Sequence, residues 1–128
     1  MSEEKRDELH SVLVIGAHPD DPEFGCAATI AKWAAQGRVV DYILLTSGDK
    51  GSHDPGLRPG QVAAMRESEQ RAAARELGVR DVRFLHYPDG MLENTMDLRR
   101  QLCELIRQVK PDILLTIGPW RPYQLHPD

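Results

Sequence analysis

Residues 11–23 read SVLVIGAHPDDPE, an apolar run that passes directly into one histidine and three carboxylates. A run rich in β-branched side chains and closed by Gly16 predicts a buried β-strand. His18, Asp20 and Asp21 therefore follow a strand end, which is where open α/β sheets place their ligand sites. Burying such groups is costly unless a cation or a hydrogen-bond network compensates them. The stretch predicts a metal site at the end of the first strand.

Strand and helix patterns alternate along the rest of the chain. Strands are predicted at 11–16, 39–46, 81–87 and 112–118, and helices at 23–36, 61–77 and 95–109. The polar loop at 47–59 is too long for a simple connector, and its first residues are expected to border a pocket. Four β/α units with buried strands predict an α/β fold, with a Rossmann-like parallel sheet covered by helices on both faces.

The chain divides into two parts. We expect a charged, disordered N-terminus at 1–10 and an α/β domain at 11–128.

Size and composition narrow the class of protein. A chain of 128 residues with 41% hydrophobic residues fits one soluble domain. The net charge is −4 with both signs spread along the chain, so no basic patch indicates nucleic acid binding. The sequence shows neither a long apolar span nor a secretory signal pattern, so no membrane partner is expected. We interpret the protein as cytoplasmic, with Cys26 and Cys103 as buried, reduced thiols.

A second His-Pro-Asp triplet closes the chain. It occupies residues 126–128, after the predicted strand at 112–118, and repeats the triplet at 18–20. Two such triplets, each after a predicted strand, are not expected by chance. Together they resemble the AHPDDxE and HxDH motifs of the LmbE-like or PIG-L-type zinc-dependent N-acetylglucosaminide deacetylases. The first motif is complete, and the second stops one residue short.

The resemblance also implies that the chain is the N-terminal portion of a longer domain, because members of the family usually run well beyond this length. We therefore expect the sheet to be truncated after the fourth strand. Apolar surface beside that strand would be exposed or covered by another copy of the chain, which allows a homo-oligomer.

The resemblance implies a role for each residue of the two motifs. His18 and Asp21 would be zinc ligands, and the third protein ligand would lie just beyond Asp128. A nitrogen and an oxygen ligand also suit zinc on chemical grounds. Asp20 would be the general base for the attacking water. His126 would stabilise the oxyanion or protonate the leaving amine, and Asp128 would orient and tune a neighbouring histidine.

These assignments have alternatives that the sequence leaves open. Asp20 or Asp21 alone would serve equally as the N-cap of the following helix. His126 and Asp128 would otherwise be polar groups on a frayed tail. The family places an arginine near Arg66 that contacts substrate hydroxyls, and a guanidinium suits this because it donates several hydrogen bonds in a fixed fork. Helix surfaces also carry arginine routinely.

The resulting expectation is a zinc-dependent hydrolase that removes an acetyl group from an N-acetylated amino sugar or a related amide. Its partner would be a small molecule of that kind. Since the chain of 128 residues supplies two of the three protein ligands that a catalytic zinc normally has, we expect it to bind zinc weakly or not at all and to be close to inactive.

Two other classes of protein share part of the pattern. A dinucleotide-binding enzyme needs later glycines after Gly16, and this chain has carboxylates there instead. The better alternative is a non-enzymatic phosphoacceptor signalling domain of α/β type, which also has an acidic pair after its first strand. That class needs an aspartate directly at the end of the third strand, where this chain has His-Tyr-Pro at 86–88.

Overall fold

The computed structural model describes residues 10–118 and 126–128. Within them the elements are β1 (Ser11–Gly16), α1 (Asp21–Ala35), β2 (Val39–Leu44), α2 (Pro59–Leu77), β3 (Asp81–Phe84), α3 (Met96–Val109) and β4 (Ile113–Thr116). The strands form one parallel sheet in the order β3-β2-β1-β4. The predicted Rossmann-like α/β fold is therefore confirmed. The predicted disordered segment at 1–10 lies, apart from His10, outside the described residues.

Helices cover both faces of the sheet. On one face α1 and α2 pack over a core that includes Val12, Val14, Ile30, Val40, Tyr42, Leu44 and Ala74. On the other face α3 supplies Leu102, Leu105, Ile106 and Val109, which pack over Leu13, Ile15 and Ile43. Strands buried on both faces need apolar residues at every position, which is why β1 reads as a continuous run rather than an alternation.

The element boundaries shift by a few residues from the predicted ones. β2 and β3 end at Leu44 and Phe84, although the apolar patterns continue to 46 and 87. The amides of Leu45 and Tyr87 still donate to the carbonyls of Gly16 and Leu45. The apolar pattern therefore includes residues after the ends of β2 and β3 that still form backbone hydrogen bonds with their neighbours.

The prediction of buried thiols is wrong for one of the two cysteines. Cys26 is half-buried, whereas Cys103 is exposed, and both are free. Position 103 lies on α3 away from the apolar stripe that faces the sheet, so helix membership alone did not imply burial. No helix in the described part of the chain is long and apolar enough to cross a membrane.

β4 lies at one edge of the described sheet and pairs there only with β1. Its neighbourhood leaves large apolar side chains in solvent, with Leu114 46% and Ile117 56% exposed. This agrees with the expected apolar surface beside the fourth strand.

Asp112 joins the start of β4 to the start of β1. Its Oδ2 accepts hydrogen bonds from the backbone N–H groups of Ser11 at 2.9 Å and His10 at 2.8 Å. These bonds from Ser11 and His10 favour the charged form and lower the pKa of Asp112 below its usual value. A carboxyl with a lowered pKa in the folded state adds stability above its unfolded pKa and loses it as the pH falls through the folded value.

We expect Asp112→Ala to lower the free energy of unfolding at neutral pH, because the variant loses the hydrogen-bonded carboxylate. The difference from the parent should shrink below about pH 4, where the unfolded carboxyl becomes protonated. Denaturant unfolding at pH 7 and at about pH 3 measures this. Asp97→Ala, which removes an exposed carboxylate on α3, is the control. An equal deficit of Asp112→Ala at both pH values would contradict the ionic origin of the effect.

Candidate metal and catalytic site

The sheet order places a crevice at the carboxyl end of β1. The connection that leaves β1 leads to β2 on one side of it, while β4 lies on the other side of β1. A ligand-binding crevice forms at the carboxyl ends of the strands where the strand order reverses in this way. An open cavity of about 340 Å³ lies there, lined by His18, Asp20, Asp21, Lys50, Gly51, Arg66, Asp89, Gly90 and His126. Most of the residues singled out in the sequence therefore share one cavity.

His18 and Asp21 face each other across the turn after β1. The Nδ1 atom of His18 lies 3.7 Å from Oδ2 of Asp21. The same oxygen accepts hydrogen bonds from the backbone N–H groups of Ala17 and His18, each at 2.9 Å. The carboxylate of Asp21 thus turns back over the loop that precedes α1. Asp20, the N-cap residue of α1, makes no side-chain capping bond either, so neither carboxylate acts as a cap.

The opposite edge of the His18 ring contacts two other carboxylates. Its Nε2 lies 2.8 Å from Oδ2 of Asp128 and 3.3 Å from Oδ1 of Asp89. The side chain of Asp128 is fully buried, and it accepts backbone hydrogen bonds from Gly90 at 2.7 Å and Leu92 at 2.8 Å. An oxygen acceptor at this distance favours the tautomer with the proton on Nε2, which leaves the Nδ1 lone pair toward Asp21.

Electrostatics keep Asp128 ionised in this position. Burial alone would raise the pKa of Asp128, but the hydrogen bonds from Leu92, His18 and Gly90 outweigh it and lower that pKa below its usual value. A charged, buried and hydrogen-bonded acceptor therefore holds both the orientation and the tautomer of His18. Carboxylates that hold a metal-binding histidine in this way raise the basicity of the opposite nitrogen.

His126 lies beside His18 at the exposed rim of the cavity. The two rings meet edge to face with their centroids 4.5 Å apart, and Nδ1 of His126 accepts a hydrogen bond from the backbone N–H of Asp128 at 3.2 Å. Ligand atoms of His18, Asp89, His126 and Asp128 all lie within 4.8 Å of one another, which is close enough to hold one metal ion. With the proton on Nε2, His18 presents Nδ1 to a metal beside Asp21. A metal within this cluster would instead require the other tautomer, in which Nε2 is unprotonated.

The sequence favoured Asp89 as part of a plain turn after the third strand, with contact to a sugar hydroxyl as the alternative, whereas the structure places Asp89 in the site. The Asp89-Gly90 pair looks like an ordinary turn, yet Asp89 is 5% exposed. Its Oδ2 accepts a hydrogen bond from the backbone N–H of Lys50 at 2.9 Å, and its Oδ1 faces His18. The available signal was its position just after β3, because parallel strands present their carboxyl ends to the same crevice.

Asp20 has an unusual backbone conformation. Its φ is 79°, in the left-handed region, and its backbone N–H donates to Oε1 of Gln70 at 2.6 Å. Its carboxylate lies 3.3 Å from Nη2 of Arg66. Burial raises the pKa of Asp20 above its usual value even though the Arg66 guanidinium lowers it. Non-glycine residues with positive φ tend to occur at functional sites.

Arg66 lines the cavity, although its described contacts are to the protein itself. Nη1 donates to the carbonyl of Gly48 at 3.2 Å, and Nη2 donates to the carbonyl of Pro19 at 3.1 Å. A Cβ atom added at Gly48 or Gly51 would overlap the guanidinium. The loop after β2 thus wraps closely around this side chain.

The chain matches a known protein family over most of its length. Residues 13–128 match the profile of the PIG-L family, described as GlcNAc-PI de-N-acetylase. The chain belongs to this family. Membership of this family accounts for the Rossmann-like sheet and for the two His-Pro-Asp triplets. It also excludes the alternative that the chain is a phosphoacceptor signalling domain.

Individual PIG-L relatives show how close the match is. The diacetylchitobiose deacetylase of Thermococcus kodakarensis is 36% identical over 121 residues, which cover 94% of this chain and 45% of that protein. The structure of N,N'-diacetylchitobiose deacetylase from Pyrococcus horikoshii has a TM-score of 0.92 and 34% identity, covering 98% of this chain and 47% of that one. The chain therefore spans about half the length of these relatives.

The same fold also occurs in a protein with a different named reaction. GalB, the 4-carboxy-2-hydroxymuconate hydratase of Pseudomonas putida KT2440, has a TM-score of 0.82 and 28% identity, covering 93% of this chain and 52% of that one. The PIG-L fold alone thus does not determine the reaction, which depends on the residues of the site.

Proposed function

We propose that this chain carries the catalytic centre of a zinc-dependent N-deacetylase that removes an acetyl group from an N-acetylated amino sugar or a related amide. The supporting observation is the His18 ring, with Asp128 on Nε2 and Asp21 facing Nδ1. Asp20, whose backbone has a left-handed conformation, lines the same cavity as His18. This arrangement provides a metal ligand pair, an orienting carboxylate and a separate carboxylate for proton transfer.

The donor atoms fit zinc in type and spacing. Two ligands that each lie about 2.1 Å from a tetrahedral zinc are separated by roughly 3.4 Å, and the observed separation of Nδ1 of His18 and Oδ2 of Asp21 is 3.7 Å. These two residues would hold the ion, with a third protein ligand expected next to Asp128. When bound, zinc polarises the acetamide carbonyl and lowers the pKa of a water molecule.

The remaining residues handle protons and charge. Asp20 would take the proton from the attacking water, and its raised pKa brings its basicity closer to that needed near neutral pH. His126, at the rim of the cavity beside His18, would stabilise the developing oxyanion or protonate the leaving amine. Asp128 would keep His18 in the metal-binding orientation. Arg66 would present its guanidinium to substrate hydroxyls at the cavity wall.

A chimera tests which reaction the site carries out. Residues 13–128 would replace the matching part of the Thermococcus deacetylase, so that the remaining half of that protein completes the domain. With zinc, we expect acetate release from diacetylchitobiose, with an Asp20→Asn version of the chimera as the control. Hydration of 4-carboxy-2-hydroxymuconate without acetate release would instead favour a hydratase and overturn the proposal.

A further inference from the structure

One peptide group in the turn between β1 and α1, here called the catalytic turn, is held on both sides by side chains of α2. Nη2 of Arg66 donates to the carbonyl of Pro19 at 3.1 Å, and the N–H of Asp20 donates to Oε1 of Gln70 at 2.6 Å. This carbonyl and this N–H belong to the single peptide unit that joins Pro19 to Asp20. Arg66 and Gln70 are four residues apart on α2, so their side chains project from one face of the helix.

The held peptide precedes a strained residue. Asp20 has φ 79°, a conformation that residues with a Cβ atom adopt at an energetic disadvantage. Such conformations persist only where the surrounding contacts fix them. Both groups of the Pro19–Asp20 peptide are fixed by α2, so the α2 side chains help to determine where the Asp20 carboxylate lies.

The side chain of Gln70 is built for this contact. Gln70 is 3% exposed, and its Nε2 donates to Oε1 of Glu23 at 2.7 Å. Because the amide nitrogen is engaged with an acceptor, the amide oxygen must be the atom that faces the N–H of Asp20. Glu23 lies in the first turn of α1, so Gln70 links the catalytic turn to the helix that follows it.

We propose that Gln70 is a positioning residue for Asp20, acting with Arg66 as a clamp on the Pro19–Asp20 peptide. The clamp holds Asp20 in the left-handed conformation, which places its carboxylate on the cavity beside His18. This inference rests on the proposed function, in which Asp20 is the general base. It also gives Arg66 a second task, since the same guanidinium holds the peptide and faces the cavity.

Amide hydrogen exchange in this chain tests the clamp without any assay of activity. Gln70→Met has nearly the same shape but neither accepts from Asp20 nor donates to Glu23. We expect the amide proton of Asp20 to exchange at least about tenfold faster in the variant, while the amides of β1 keep their protection. Unchanged exchange at Asp20, or equal loss of protection throughout β1, would overturn the proposal.

A paired exchange of side chains tests the geometry. Gln70→Glu combined with Glu23→Gln keeps an oxygen for the N–H of Asp20 and reverses the donor and acceptor of the second bond. We expect this double variant to restore slow exchange at Asp20, whereas Gln70→Glu alone leaves two carboxylates together and does not. If the double variant folds but exchanges as fast as Gln70→Met, the proposed contact is wrong.

Kinetics of the zinc-loaded chimera link the clamp to catalysis. In the Gln70→Met version of the chimera, the displaced base should lower kcat for deacetylation by roughly 10–100-fold, with little change in KM or in zinc content. Faster exchange at Asp20 with unchanged kcat would overturn the positioning role. If Asp20→Asn also left kcat unchanged, the base assignment in the proposed function would fail instead, and the exchange result would still report on the clamp.

Discussion

In the zinc-loaded chimera, Asp20→Asn should leave zinc binding almost unchanged while lowering kcat for deacetylation by roughly 10²–10⁴-fold, the range typical of a lost general base. Asparagine has the same shape and also tolerates a left-handed backbone. Its backbone N–H still reaches Gln70, and its amide oxygen still reaches Arg66. The variant therefore removes basicity and little else, because Asp21 and His18 retain their own contacts.

The measurement pairs acetate release with the metal content after dialysis. Asp97→Asn is the matched control, since it makes the same chemical change on the exposed surface of α3, where the Asp97 side chain is 83% exposed. We expect the control to keep full turnover. Turnover of Asp20→Asn within about twofold of the parent would rule out Asp20 as the base.

In the same chimera, Asp21→Asn should have the opposite profile, with zinc affinity reduced at least about 100-fold and turnover lost along with the metal. Loss of an orienting partner next to a ligand already costs 10–100-fold, and here a charged ligand itself is replaced. The amide oxygen still accepts from the backbone N–H groups of Ala17 and His18, so the turn should remain folded. Competition with a chelator measures the affinity.

A companion variant, Asp89→Asn, distinguishes the two possible positions of the metal. If Asp21 is a ligand, Asp89→Asn should weaken zinc binding less than Asp21→Asn does. The reason is that Asp89 contacts His18 at Nε2, on the edge of the ring opposite Nδ1. The reverse order would place the ion in the cluster formed by His18, Asp89, His126 and Asp128. In that case the ligand pair proposed above would be wrong.

The sequence was most informative where the chemistry is local. The run at 11–16 predicted the central strand because burial on both faces demands apolar residues at every position. The AHPDDPE stretch brought His18, Asp20 and Asp21 into one turn simply because they are neighbours in the chain. Covalent proximity and periodicity were sufficient for these features.

Long-range contacts left little trace in the sequence. Gln70 lies on an Ala-rich helix among charged residues, and nothing in its neighbours indicates that its amide meets Asp20, which is 50 residues away in the chain. Asp89 resembled a turn residue because its partners, Lys50 and His18, come from other strand ends. The error at Cys103 had the same origin, because burial depends on which side of α3 meets the sheet.

The close fit of the loop after β2 around Arg66 restricts how this part of the protein can change over evolutionary time. A Cβ atom at Gly48 or Gly51 would meet the end of the flexible Arg66 side chain, so a larger residue there fits only if the guanidinium moves. Moving the guanidinium releases the carbonyl of Pro19. We therefore expect both glycines to persist in descendants that keep the clamp, and position 51 to accept larger residues only together with a change at Arg66.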